Sequence, residues 1–245
     1  MAHTMIRCVL AVALLMSAAM FNLAWADECT GTPFTDAPDP TQPANLGKHK
    51  RQLLNYKCSG AYAADIRDVL TRAQAYVAGR AAAVSKAALV LDIDETSLSN
   101  WPEIVANDFG YIPHAACDLL PSGPCGADGW ELSARADAIA PTRDLFNAAK
   151  AKGVAMFFIT GRQEDPQKRR ATETNLRRAG YDGWAELFLR SPGYASIREY
   201  KTAMRKKIAD DGYTIIANVG DQESDLAGGY AEQTFKVPNP FYFLP

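Results

Sequence analysis

Three features of this sequence predict an α/β fold built on a doubly wound, Rossmann-like parallel sheet. First, several short runs are apolar almost without interruption: residues 87–94 (AALVLDID), 154–160 (VAMFFIT), 186–190 and 213–219, with 234–237 as a candidate fifth. Second, stretches with helical spacing and helix-end signals lie between them. Third, the runs end in polar side chains. Strands that are apolar on both faces are buried on both faces, so helices must cover the sheet on either side. Ligands in such sheets bind beyond the carboxyl ends of the strands. Asp92, Asp94, Thr160 and Asp221 fall there.

The helices follow from local chemistry. Tyr62, Ile66, Val69, Leu70, Ala73 and Val77 recur at helical spacing and give one apolar face. Residues 141–152 start on a proline and are followed by Gly153. Residues 167–179 form a basic helix stopped by Gly180, and Lys168, Arg169 and Arg170 read as its solvated face. Ser196 and Glu199 form a capping box for a helix carrying Ile197, Tyr200, Met204 and Ile208, which puts Lys201 in its first turn.

Composition narrows the class. The chain has 245 residues, 48% of them hydrophobic and 22% charged, enough for one sizeable core. A net charge of -2 gives no basic surplus for nucleic acid. Residues 1–26 read as a secretory signal peptide. Arg7 is the basic start, residues 8–20 are almost wholly apolar, and Ala24-Trp25-Ala26 is a small-x-small cleavage site before Asp27. The expected product is exported, periplasmic or secreted, with no stable membrane association after cleavage. Residues 27–44 read as a flexible arm and 45–245 as the folded domain, with an insert or lid at about 97–140.

Export gives the cysteines a meaning. The mature chain keeps Cys29, Cys58, Cys117 and Cys125, and an even count in an oxidising compartment reads as disulfides. Of the three possible pairings we expect Cys117 with Cys125, closing a short Pro/Gly loop, and Cys29 with Cys58. A zinc site fits less well, because the spacings match no usual ligand pattern.

The chemistry concentrates at the strand ends. Asp92 and Asp94 lie two apart at the end of the first run, and Asp221 and Asp225 follow the fourth. Nearby carboxylates repel unless a cation or proton intervenes. Carboxylates with a backbone carbonyl make a hard-oxygen site suited to Mg²⁺. Thr160 and Gly161 offer a hydroxyl and free N–H groups as an anion cradle, and Lys201 adds a positive charge. Together these are the parts phosphoryl transfer needs.

Asp92–Thr96 in the form D-x-D-x-T, Thr160 in FITGR, Lys201, and Gly220-Asp221-Gln222-x-x-Asp225 resemble the four ordered motifs of the haloacid dehalogenase-like phosphatases. The stretches DIDETSLSN, KGVAMFFITGR, ETNLRRAGYDGW and NVGDQESDL look like the acid phosphatase branch, which includes plant acid phosphatases, vegetative storage proteins and bacterial class C enzymes. The resemblance covers about residues 45–245. It implies a Mg²⁺-dependent phosphomonoesterase with Asp92 as nucleophile and Asp94 as general acid and base. Thr160, Gly161 and Lys201 would hold phosphate, Asp92, Asp94 and Asp221 would ligate the metal, and Asp225 would support. Ser99 departs from the aspartate usual in class C enzymes, which puts transfer of their substrate preference in doubt.

Small phosphomonoesters are the expected substrates, with nucleoside monophosphates the first to try. The runner-up readings are a phosphotransferase and a non-catalytic storage or binding protein on the same fold; Asp92 favours the enzyme. A receiver domain would lack the second aspartate and an export signal. Arg-His-Gly, a cysteine with an arginine six residues on, G-x-S-x-G and GxxxxGK[ST] are all absent. Arg162 reads as a substrate contact or a surface salt bridge. Trp101, Phe109 and Tyr111 in the insert stack on an aromatic leaving group or pack the lid. His114 reads as a loop residue. The residues carry no signature of oligomeric state.

Overall fold

The computed structural model describes residue 41 and residues 43–244. The expected signal peptide, almost all of the arm, and Cys29 lie outside the described residues. The chain divides into two units, residues 1–60 and 61–245. In the first, helix α1 (Leu46–Cys58) starts at Asn45, whose side chain accepts from the N–H of Lys48 at 3.1 Å. No helix among the described residues is long and apolar enough to cross a membrane.

The second unit holds the predicted sheet. Its strands are β1 (Ala87–Leu91), β4 (Ala155–Gln163), β5 (Glu186–Arg190), β6 (Thr214–Gly220) and β7 (Ala231–Lys236), and all neighbours are parallel. Their order is β5-β4-β1-β6-β7. The chain runs outward from β1 to β5, then returns to lay β6 on the other side of β1. That reversal opens a crevice at the ends of β1 and β6. β1 is shorter than the apolar run predicted, because Asp92 and Asp94 lie past its end. β4 is longer, so Thr160 and Gly161 sit inside it. The last strand begins earlier than residue 234.

Period-two alternation covers both faces of the sheet. Phe157 joins Ala88, Val90, Phe188 and Ile215 in a cluster with Tyr200 and Ile208 of α7 (Ile197–Asp210). Phe158 points the other way, stacking 5.8 Å from Phe146 of α5 (Ala140–Lys150) and meeting Tyr181 edge-on at 5.7 Å. Helix α2 (Ala61–Arg80) packs on α5 and buries Tyr62, Ile66, Leu70, Ala73 and Val77, the periodic set less Val69. All five residues of β1 are buried. At about 1.5–3 kcal/mol for each large side chain, this strand anchors the fold.

The insert is partly ordered secondary structure. Two-residue strands β2 (Leu98–Ser99) and β3 (Asp137–Ala138) pair antiparallel at its base. Between them lie α3 (Trp101–Ala106) and α4 (Ala127–Ser133). Cys117 and Cys125 are disulfide-bonded, as expected. Cys58 is also disulfide-bonded, with its expected partner Cys29 outside the described residues. Helix α6 (Pro166–Arg178) begins at Asp165, which caps the N–H groups of Gln167 and Lys168.

Candidate active site

A cavity of about 380 Å³ opens at the carboxyl ends of the strands, and Asp92, Asp94, Gly161, Arg162, Lys201, Asp221 and Asp225 line it. The fold delivers these side chains from separate elements. Asp92 follows β1 and is tied down by its own N–H to the Val219 carbonyl of β6 at 3.0 Å. The Ser97 hydroxyl donates to its carbonyl at 2.6 Å. Lys201 reaches in from α7, one residue beyond the first helical turn. Ser196 caps that helix, accepting from the Glu199 N–H at 3.1 Å. Glu199 reaches back to the Ala195 N–H rather than to the cap residue of the expected box.

Lys201 bridges two carboxylates. Its Nζ lies 2.5 Å from Asp92 Oδ1 and 2.5 Å from Asp225 Oδ1, with all three groups buried. Burial alone would lower the lysine's pKa, but Asp225 and Asp92 raise it further than burial lowers it. Asp92 is pushed well above the usual carboxylate range by burial, with Asp225, Asp221 and Asp94 adding repulsion and Lys201 opposing.

Asp94 has different company. The Arg162 guanidinium grips it through Nε at 3.2 and 3.1 Å and Nη2 at 2.7 Å, and Asn100 donates to it at 2.9 Å. Burial works to raise its pKa, but the charge and hydrogen bonds of Arg162 and the Asn100 amide hold it below the ordinary value. Arg162 is itself buried, with Nη1 on Thr172 at 3.2 Å. It is neither the surface salt bridge nor simply the substrate contact that the sequence pointed to. An arginine directly after Thr-Gly gives no sign of where its long side chain turns.

Thr160 is buried, its hydroxyl accepting from the Arg162 N–H at 3.1 Å. A side chain at Gly161 would meet only Ile197, at 3.7 Å, so the space above this glycine belongs to the cavity. Gly220 is the opposite case. A Cβ there would come within 2.3 Å of Asp225 Cβ, so this glycine is required for Asp225 to approach.

Asp221 is held by Thr96 at 3.1 Å, Gln222 at 2.6 Å and Asn239 at 2.8 Å. Burial and Asp225 push its pKa up to about 6, against the Asn239 and Gln222 amides and the charge of Lys201. One carboxylate oxygen from each of Asp92, Asp221 and Asp225 lies within 4.8 Å of the others. The buried Ser224 hydroxyl beside them has no hydrogen-bond partner among the described residues.

The insert supplies the rest of the wall. Glu103 of α3 and Glu131 of α4 line the cavity. Burial, with the nearby Asp94 and Glu131 carboxylates, pushes Glu103 up to about 8. Lys168 does not lie on a solvated face as predicted; it pairs with Asp128 at 2.5 Å and Glu131 at 3.0 Å. Arg169 likewise pairs with Glu164. Trp101 and Phe109 pack near Phe241, at 5.2 and 6.3 Å between ring centroids, so they stabilise the insert, while Tyr111 is 76% exposed. His114 pairs with Asp128 at 2.8 Å. Sequence reasoning missed Arg162's direction, Asn100, Glu103 and the 241–244 segment along the wall.

This geometry sets a buried, lysine-bridged carboxylate beside an arginine-held one at the switch point of a doubly wound sheet. Residues 41–245 match the family model described as HAD superfamily, subfamily IIIB (Acid phosphatase), and the chain belongs to that family. Stem 28 kDa glycoprotein of Glycine max is 36% identical over 164 residues, 65% of this chain and 61% of that protein. Acid phosphatase 1 of Solanum lycopersicum is 31% identical over 158 residues, 63% of this chain and 58% of that protein. The chain therefore spans about three fifths of these two relatives. The class C acid phosphatase of Bacillus anthracis has the same fold, with a TM-score of 0.62 at 23% identity, covering 80% of this chain and 86% of that one.

Proposed function

We propose that this chain is an exported, Mg²⁺-dependent acid phosphatase that hydrolyses small phosphomonoesters through a phospho-aspartate on Asp92. The observation that carries the reading is the division of charge between the two aspartates. Asp92 has a lysine beside it, and Asp94 has an arginine and an amide fixing its direction. Two carboxyl groups two residues apart thus have separate environments, which suits separate tasks.

In this reading the ester arrives as its monoanion and Asp94 takes up the proton it carries. An Asp92 oxygen, its negative charge offset by Lys201, then attacks phosphorus while the ester oxygen leaves with that proton from Asp94. Asp94 then takes a proton from water, whose oxygen attacks the same phosphorus. The aspartyl–phosphate bond breaks, phosphate departs and Asp92 is regenerated. Thr160 and the Gly161 N–H hold the phosphate oxygens, and Lys201 offsets their charge. Arg162 and Asn100 keep Asp94 aimed at the ester oxygen.

The residues fit a hard divalent cation. Three buried carboxylates face one another with one lysine among them, and Ser224 carries an orphaned hydroxyl alongside. Asp92 and Asp221, with the Asp94 carbonyl, would hold Mg²⁺, while Lys201 and the Gln222 N–H engage Asp225 as the support. Bound there, Mg²⁺ supplies positive charge for both the carboxylates and the phosphate. Export is supported by the Cys117–Cys125 disulfide, a bond favoured in oxidising compartments, together with the leader-like residues 1–26. We take the catalytic domain as 45–245, with 97–140 as its lid.

The test is hydrolysis of p-nitrophenyl phosphate from pH 4 to 8 by the mature chain, with Mg²⁺ or with EDTA, and by Asp92→Asn. Activity that needs both the metal and Asp92 is the expected result. Near-normal turnover by Asp92→Asn ends the mechanism. Glycerol added to the reaction separates a hydrolase from a phosphotransferase by its product.

A further inference from the structure

The cavity has an acidic end that the phosphoryl chemistry does not use. Glu103 of α3 is 9% exposed and lines the wall, and among the described residues no hydrogen bond or ion pair engages its carboxyl group, whose oxygens face the cavity's solvent. The neighbouring acids on α4 have a cation beside them, although Glu131 Oε2 makes no hydrogen bond among the described residues. Asp128 and Glu131 share Lys168, and His114 adds a second contact to Asp128. The other buried cation nearby, Arg162, is committed to Asp94. Glu103 is therefore a largely buried acid with no answering donor among the described residues, on a surface that a ligand reaches. Such a group is costly in a core and retains a use where a ligand completes it.

The surroundings define what completes it. The missing element is a hydrogen-bond donor carrying positive charge. Phe109 and Tyr111 line the same cavity, and an ammonium placed beside aromatic faces is attracted to them as well. The phosphate end lies at Asp92, Gly161 and Lys201, within the same volume of about 380 Å³, which suits a small molecule spanning both ends.

We propose that Glu103 is a specificity-determining contact for the leaving group and selects phosphomonoesters of amino alcohols. The protonated amine donates to Glu103, whose own proton passes to solvent as the ammonium arrives, while the phosphate sits at Asp92. This rests on the phosphatase reading above. A primary ammonium has three N–H donors, and a carboxylate accepts them. An alkyl group of the same size offers none and covers Glu103 without replacing its water. The penalty for that mismatch gives the discrimination.

The experiment compares kcat/KM for 2-aminoethyl phosphate and propyl phosphate, which differ by an ammonium in place of a methyl group. The wild-type chain should prefer the amine by roughly 10- to 100-fold, the range expected for a charged hydrogen bond. Glu103→Gln should bring the ratio close to one, with propyl phosphate as the internal reference. A wild-type ratio near one overturns the inference, and so does a strong preference that Glu103→Gln leaves unmoved. If the variant misfolds, the wild-type ratio decides alone. Hydrolysis without preference sinks this inference and spares the phosphatase reading. No hydrolysis of either ester or of p-nitrophenyl phosphate overturns both.

Discussion

Arg162 holds both carboxylate oxygens of Asp94 from a fully buried position, with its closest contact at 2.7 Å. A planar fork fixes the orientation of a carboxylate in a way that an ammonium cannot. Asp94 is thereby set toward the cavity before any substrate arrives. Arg162 acts through Asp94, so it is a positioning residue.

Arg162→Lys should lower kcat for p-nitrophenyl phosphate by roughly 10- to 100-fold, the scale of a small misplacement of a reacting group. KM should change little, because the phosphate cradle is untouched. Steady-state kinetics check the split. A rise in KM at unchanged kcat would instead make Arg162 a substrate-binding residue.

Lys201→Met leaves Asp92, Asp221 and Asp225 buried together without their cation. Removing one partner of a buried ionic group costs about 3–5 kcal/mol. Urea unfolding in EDTA should show a loss of that order, and Mg²⁺ should restore part of it. A variant as stable as wild type in EDTA would contradict the charge balance drawn for this site.

Metal binding should stabilise the fold by itself. With free Mg²⁺ at a hundred times its Kd, the gain is about 2.7 kcal/mol. Thermal unfolding should show a higher Tm with Mg²⁺ than with EDTA, and Asp221→Asn should shrink that difference. An equal Mg²⁺ response in Asp221→Asn would move the cation elsewhere.

Glu103 gives a pH dependence of stability. Its pKa stands at about 8 in the folded chain against an ordinary 4.5. Between those values the folded chain keeps a proton that the unfolded chain has released. Stability therefore falls as pH rises through that window and levels off above it. Glu103→Gln removes this contribution. Its Tm relative to wild type should rise between pH 5 and pH 8, and a constant difference across that range would contradict the environment assigned to Glu103.

The parts of this site that were legible in the sequence are those that depend on strand ends. An uninterrupted apolar run followed by Asp92 and Asp94 announces a buried strand that delivers carboxylates to one edge. The 213–219 run does the same for Asp221 and Asp225. Lys201 was legible because Ser196 sets where its helix starts. The insert was harder. β2 and β3 have two residues each, too short for any alternation to register. Arg162 and Lys168 were misjudged for one reason: sequence gives the position of a long cationic side chain but not its direction. Their partners, Asp94 and the α4 acids, come close only after the chain has folded back. Glu103 carries no signal of its own, since its isolation results from Lys168 and Arg162 being engaged elsewhere.

The most direct test of the central claim is to quench the wild-type chain in acid during turnover of p-nitrophenyl phosphate and map the phosphoryl group by mass spectrometry. The account predicts a peptide containing Asp92 heavier by one phosphoryl group, absent in Asp92→Asn. A phosphoryl group on another residue, or none during a turnover that shows a burst of product, would contradict it.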